Sequence, residues 1–175
     1  MSDQLAQMFY ETDIIRFDKN SIDFSKAFSH PDVFPFLADA SIEILDDYAI
    51  DAIVCGSEVL PYMPHLASRL ELPFLWLNGE DIIGDIKDIK RIIYITLVSP
   101  SEEDMTLIHE LCKKQGLEII AVYSFLGMRP NTEEPRLLSL VAAGEILEKY
   151  KELHLISEKE YSDILNENTA KSENA

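Results

Sequence analysis

Four near-continuous apolar runs constrain this chain more than any other feature. They are Asp51-Ala-Ile-Val-Cys-Gly56, Leu72-Pro-Phe-Leu-Trp-Leu77, Lys90-Arg-Ile-Ile-Tyr-Ile-Thr-Leu-Val98 and Leu117-Glu-Ile-Ile-Ala-Val-Tyr-Ser-Phe-Leu126. A strand with one wet face alternates apolar and polar residues, whereas a strand covered on both faces does not. Between these runs, Pro61–Leu70 and Ser101–Gln115 read as helices, the second stopped by Gly116, and Ile82–Lys87 reads as a polar loop. Buried strands alternating with helices predict βαβ units, and so an α/β fold built on a parallel sheet flanked by helices.

The flanks are less regular. Residues 2–11 carry Leu5, Met8 and Phe9 at helical spacing. Residues 12–29 are polar and irregular, with room for short strands. His30-Pro31-Asp32 begins a helix expected to reach about Tyr48, proline being tolerated in a first helical turn. Residues 129–135 read as a loop, Leu137–Val141 as a strand or extended segment, and 142–152 as a helix. Ser157 lies three residues before Glu160, the spacing of a capping box at the start of a last helix. The expected organisation is one domain over residues 1–166 and a small, polar, disordered tail over 167–175.

Charge excludes several classes of function. Fifteen Lys and Arg face 32 Asp and Glu, a formal net charge of -17 over 175 residues. Nucleic-acid binding needs clustered cations to displace phosphate counterions, and an anionic membrane surface needs them too. Neither partner is expected. A hydrophobic content of 47% is too high for disorder. Cys55 and Cys112 sit in or beside apolar runs without a C-x-x-C spacing, so two reduced core thiols are expected. The N-terminus lacks a basic region followed by a long apolar one, and no apolar run approaches the ~20 residues of a membrane span. A soluble, cytoplasmic chain is expected. The histidines His30, His65, His109 and His154 show no ligand spacing, and no nucleophile motif occurs. Aromatic residues such as Phe36 and Tyr62 read as core or dimer-contact material.

The order of elements, with particular words inside it, resembles the orotate phosphoribosyltransferases, which have the type I phosphoribosyltransferase fold. Asp51-Ala-Ile-Val-Cys-Gly56, then a helix ending Leu66-Ala-Ser-Arg-Leu-Glu-Leu-Pro-Phe74, is similar to the family's first sheet strand, pyrophosphate-side loop and next helix. Lys90-Arg-Ile-Ile-Tyr-Ile95 fits the strand leading into its ribose-phosphate loop. Leu155-Ile-Ser-Glu-Lys-Glu-Tyr161 resembles a C-terminal ending of some members, and residues 20–34 echo its small N-terminal hood. The resemblance implies that parallel sheet with a hood, a homodimer, and phosphoribosyl transfer to orotate in pyrimidine nucleotide biosynthesis. It also implies Mg2+, brought with the phosphoribosyl pyrophosphate donor.

The residues that should do this chemistry differ. The family's phosphate loop reads like Val-Asp-Asp-Val-x-Thr-Thr-Gly-Gly-Ser. Its acid pair binds ribose hydroxyls, and its small residues let amides wrap the 5′-phosphate. Here the same stretch is Ile95-Thr-Leu-Val-Ser-Pro-Ser-Glu-Glu-Asp104. Thr96 and Leu97 occupy the acid pair, Pro100 and Ser101 the two threonines, Glu102 and Glu103 the glycines, and Asp104 follows. Proline removes an amide. A carboxylate about 4 Å from a phosphate costs on the order of 4 kcal/mol at an effective dielectric of 20, about a thousandfold in affinity. Read without the family, Ser101 caps a helix and its first-turn acids suit the helix dipole. Consecutive acids on a helix do not converge on one ion, so no metal site is expected.

Two other loops depart as well. The pyrophosphate loop is Gly56-Ser57-Glu58-Val-Leu-Pro61, with a single glycine and an added acid. It reads as a strand-to-helix turn, or as a ligand loop with Ser57 as donor. The mobile loop that carries an Arg-Lys pair in the family is Asn78-Gly-Glu-Asp-Ile-Ile-Gly-Asp-Ile-Lys87 here, and Asn78-Gly79 reads as a tight turn. No Lys or Arg occurs from Ala27 to Ser68, from Leu70 to Ile86, or from Ile92 to Leu111. The expectation is a catalytically degenerate member with no cofactor. It would act by binding, as a homodimer, a partner of an active paralogue, or a sensor of a small ligand. The alternative is a divergent active transferase that uses Mg2+.

Overall fold

The computed structural model describes residues 3–16, 21–22, 33–128 and 136–163. In chain order its elements are α1 (Asp3–Glu11), β1 (Ile15–Arg16), β2 (Ser21–Ile22), α2 (Val33–Leu45), β3 (Ala52–Cys55), a 3-10 turn at Ser57–Val59, α3 (Met63–Leu70), β4 (Phe74–Asn78), β5 (Asp81–Ile83), β6 (Arg91–Val98), α4 (Glu102–Lys114), β7 (Glu118–Gly127), β8 (Leu137–Ala142) and α5 (Ala143–Glu152). Residues 158–163 are also helical. The backbone groups into two compact units, one of Phe34–Ala142 and one of Met1–Val33 with Ala143–Ala175. The expected helix start at 30–32, the loop at 129–135 and the tail at 167–175 lie outside the described residues, as do residues 23–29 of the expected hood.

The larger unit carries a six-stranded sheet in the order β5-β4-β3-β6-β7-β8. All neighbours are parallel except β4 and β5. The four residues of β3 are fully buried, and Ile92 to Thr96 of β6 and Ala121 to Gly127 of β7 are buried too. Apart from Thr96 and Ser124 these buried stretches are apolar, because helices cover both of their faces. One cluster joins Ala52, Val54, Leu75, Ile92, Tyr94 and Val122 of the sheet to Met105, Ile108 and Cys112 of α4. Each such buried aliphatic side chain contributes about 1.5–3 kcal/mol.

One expected loop is a strand. Residues 82–83 belong to β5, which folds back antiparallel on β4 with Asn78 paired to Asp81 and Trp76 to Ile83. The two-residue connection, Gly79-Glu80, has Gly79 at φ +62, a left-handed conformation that glycine adopts freely. The pattern hid β5 because Asp81 and Ile83 are exposed at the sheet edge, where no apolar run is required. α3 also begins later than expected, after the 3-10 turn, with Pro64 in its first turn.

Helix ends follow local chemistry. Ser101 Oγ accepts from the Asp104 amide at 3.1 Å, and the Asp104 carboxylate accepts from the Ser101 amide at 3.4 Å, a complete capping box. Gly116, at φ +77, ends the other side of α4. In the smaller unit, α1 packs on α5: Tyr10 meets Tyr150 edge-on at 5.4 Å, and Lys149 pairs with Asp3 at 2.8 Å. Ser157 and Glu160 form the second expected box, with the Glu160 amide donating to Ser157 Oγ at 3.2 Å.

A buried polar knot ties α2 to the sheet. Ser41 Oγ accepts from Tyr123 at 2.7 Å and from Tyr62 at 3.3 Å, and donates to the Leu37 carbonyl at 2.6 Å. Tyr62 and Tyr123 both stand edge-on to Phe125. A buried hydroxyl left without its acceptor costs about 1–3 kcal/mol. Ser41→Ala is therefore expected to lower unfolding free energy by about that amount in urea titrations. The same change in a Tyr123→Phe background is expected to cost measurably less.

Candidate functional site

The chain reverses its direction of travel across the sheet beside β3. From β3 it crosses to β4 on one side, and β6 then pairs with the other side of β3. In parallel α/β sheets such a reversal opens a crevice outside the carboxyl ends of the two strands, and ligands bind there. The segments bordering this crevice are Gly56-Ser57-Glu58 after β3 and Thr96 to Ser101 at the end of β6. Both stretches singled out in the sequence therefore meet at one place.

The crevice is spanned by protein groups. Thr96 Oγ1, in a buried residue, donates to Glu58 Oε1 at 3.0 Å. The Glu58 carboxylate folds back over Gly56, and a Cβ added at Gly56 would collide with it. Ser57 Oγ accepts from the Trp76 indole N–H at 3.2 Å, so the side chain proposed as a ligand donor is joined to β4. The sequence noted the charge of Glu58 but not its bond to Thr96, because sheet order alone brings these residues together.

The loop after β6 is bonded to its own protein. The Ser99 amide donates to the Leu126 carbonyl at 3.0 Å, and Ser99 Oγ accepts from the Met128 amide at 2.9 Å. Pro100 has no amide hydrogen. The amides of Ser101 and Asp104 close the capping box. Glu102, Glu103 and Asp104 are exposed in the first turn of α4. Leu97 is half-buried and has no side-chain oxygen to offer a ligand hydroxyl or a cation.

Charge is segregated along the strand direction. Lys90 and Arg91 lie at the start of β6, where the Asp51 carboxylate accepts from both amides at 2.9 and 2.8 Å. Those two bonds hold the Asp51 carboxyl below its usual range. α4 carries the chain back to the start of β7, which puts Lys113 and Lys114 at that same end. Arg69, the cation between Ala27 and Ile86, is paired with Asp39. Among the described residues no group of three His, Cys, Asp or Glu is placed to hold a metal ion, and no helix is long and apolar enough to cross a membrane.

No protein-family model and no curated protein matches the chain. Solved structures do. A UMP synthase from Leishmania donovani superposes with a TM-score of 0.81 at 16% identity, over 97% of this chain and 42% of that one. This chain thus spans less than half the length of that protein. An orotate phosphoribosyltransferase from Aeropyrum pernix gives 0.67 at 17% identity, over 83% of this chain and 97% of that one. An adenine phosphoribosyltransferase from Leishmania tarentolae gives 0.58 at 14% identity, over 82% and 90%. The fold is that of the type I phosphoribosyltransferases. At these identities the likeness speaks for the fold alone.

Cys55 and Cys112 are free and buried, as expected. Burial, and then the Glu58 charge, push the Cys55 thiol up to about 12, and burial pushes Cys112 up to about 11. The fold favours the protonated thiols, so their contribution is full below pH 9, the ordinary thiol value, and is lost as pH rises toward 11–12. Urea midpoints are expected to fall as pH rises from 9 to about 11, and a Cys55→Ala, Cys112→Ala double variant is expected to fall less steeply.

Proposed function

We propose that this chain is a catalytically degenerate orotate phosphoribosyltransferase-like protein that acts by binding. The observation that supports this reading is the state of the loop after β6. The amides of Ser99, Ser101 and Asp104 are bonded within the protein, and Glu102 and Glu103 stand where the family places glycines. A phosphate at this loop meets the exposed carboxylates of Glu102 and Glu103 in the first turn of α4. A carboxylate about 4 Å away opposes it by on the order of 4 kcal/mol at the effective dielectric of a protein surface, about a thousandfold in affinity.

The donor's Mg2+ and ribose also lack their partners in this reading. Leu97 carries no side-chain oxygen, and the Thr96 hydroxyl is directed to Glu58. The role that remains is recognition. The chain would work in the cytoplasm as a homodimer, as the partner of an active paralogue, or as a sensor of a small ligand other than the phosphoribosyl donor.

The test is a calorimetric titration with phosphoribosyl pyrophosphate and Mg2+, followed by an assay for orotidine monophosphate. No saturable heat at millimolar donor and no product are expected. Micromolar donor binding, or turnover, would contradict the reading.

A further inference from the structure

The Thr96 hydroxyl has one proton and two acceptors within reach. Glu58 Oε1 lies at 3.0 Å and the Val98 carbonyl at 3.2 Å. It can serve only one of them fully at a time. If Glu58 swings away, the buried hydroxyl keeps a partner in Val98, and no buried group is left without a bond. Glu58 itself is exposed, so its carboxylate is hydrated on leaving. Both positions of the side chain are therefore satisfied. The closed one fills the ground over Gly56, where the missing Cβ leaves the carboxylate its space.

We propose that Glu58 is an internal latch, its carboxylate taking the place of an oxyanion at the crevice between β3 and β6 and closing that crevice until it is displaced. The inference rests on the reading above, in which the crevice descends from a donor site. An arriving anion must take over the Thr96 proton from a carboxylate already tethered to the chain. A tethered group competes at high effective concentration, and so free anions are excluded although the latch is a single hydrogen bond. Glu58 is a positioning residue in this account, with no part in a reaction.

The chain has one tryptophan, Trp76, and its indole N–H is bonded to Ser57, next to Glu58. Its fluorescence therefore reports on the latch. The experiment titrates the full chain with inorganic pyrophosphate and follows this emission, with thermal melts confirming that each variant is folded. Glu58→Ala is expected to bind pyrophosphate at least tenfold more tightly than the unaltered chain. Adding Thr96→Val is expected to abolish that gain, which places it at this crevice. Glu58→Gln keeps an acceptor for Thr96, so the crevice stays closed and most of the gain is absent. The latch is overturned if Glu58→Ala shows no gain, if the gain survives Thr96→Val, or if Glu58→Gln gains as much as Glu58→Ala. None of these outcomes bears on orotidine monophosphate formation by the unaltered chain, so the two readings fail separately.

Discussion

β3 is a four-residue strand with no exposed surface, and it must satisfy its backbone on both sides. It does so by parallel pairing with β4 and β6. A parallel neighbour requires a crossover, so the chain leaves the carboxyl end of β3 and returns from the opposite end of the sheet. The helices over the core, the common direction of the strands and the crevice between β3 and β6 all follow from that pairing. So does the meeting of Glu58 with Thr96, 38 residues apart in sequence.

The central strands were legible because their cause is local. A strand buried on two faces is an apolar run, and the runs at 51–56, 90–98 and 117–126 became β3, β6 and β7. The caps of α4 were legible for the same reason, since Ser101, Asp104 and Gly116 act within a few residues of themselves. β5 was not legible, because three residues at an edge, two exposed and one half-buried, carry no period and are held by a hairpin turn. Nor was the left-handed end of α3 at Glu71, a residue type that rarely adopts positive φ.

The candidate site divides in the same way. Its loops could be placed by their order after apolar strands, and their chemistry judged by residue type. The bonds that occupy them could not. The Ser99 amide bonds to Leu126 at the end of the next strand, and Ser57 meets Trp76 across the sheet. Each of these partners is supplied by topology. The acidity of the chain likewise gained a direction: carboxylates gather at the carboxyl end of β6, while Lys90, Arg91, Lys113 and Lys114 lie at the other end of the sheet. An anion approaching the crevice meets an opposing field before it meets any donor.

In the proposed reading the loop after β6 does not hold a phosphate. Backbone amide resonances report on it directly, one residue at a time. With millimolar phosphoribosyl pyrophosphate and Mg2+ added to the labelled chain, the amides of Ser99 and of Ser101 to Asp104 are expected to keep their positions. Saturable shifts concentrated at those amides would contradict it.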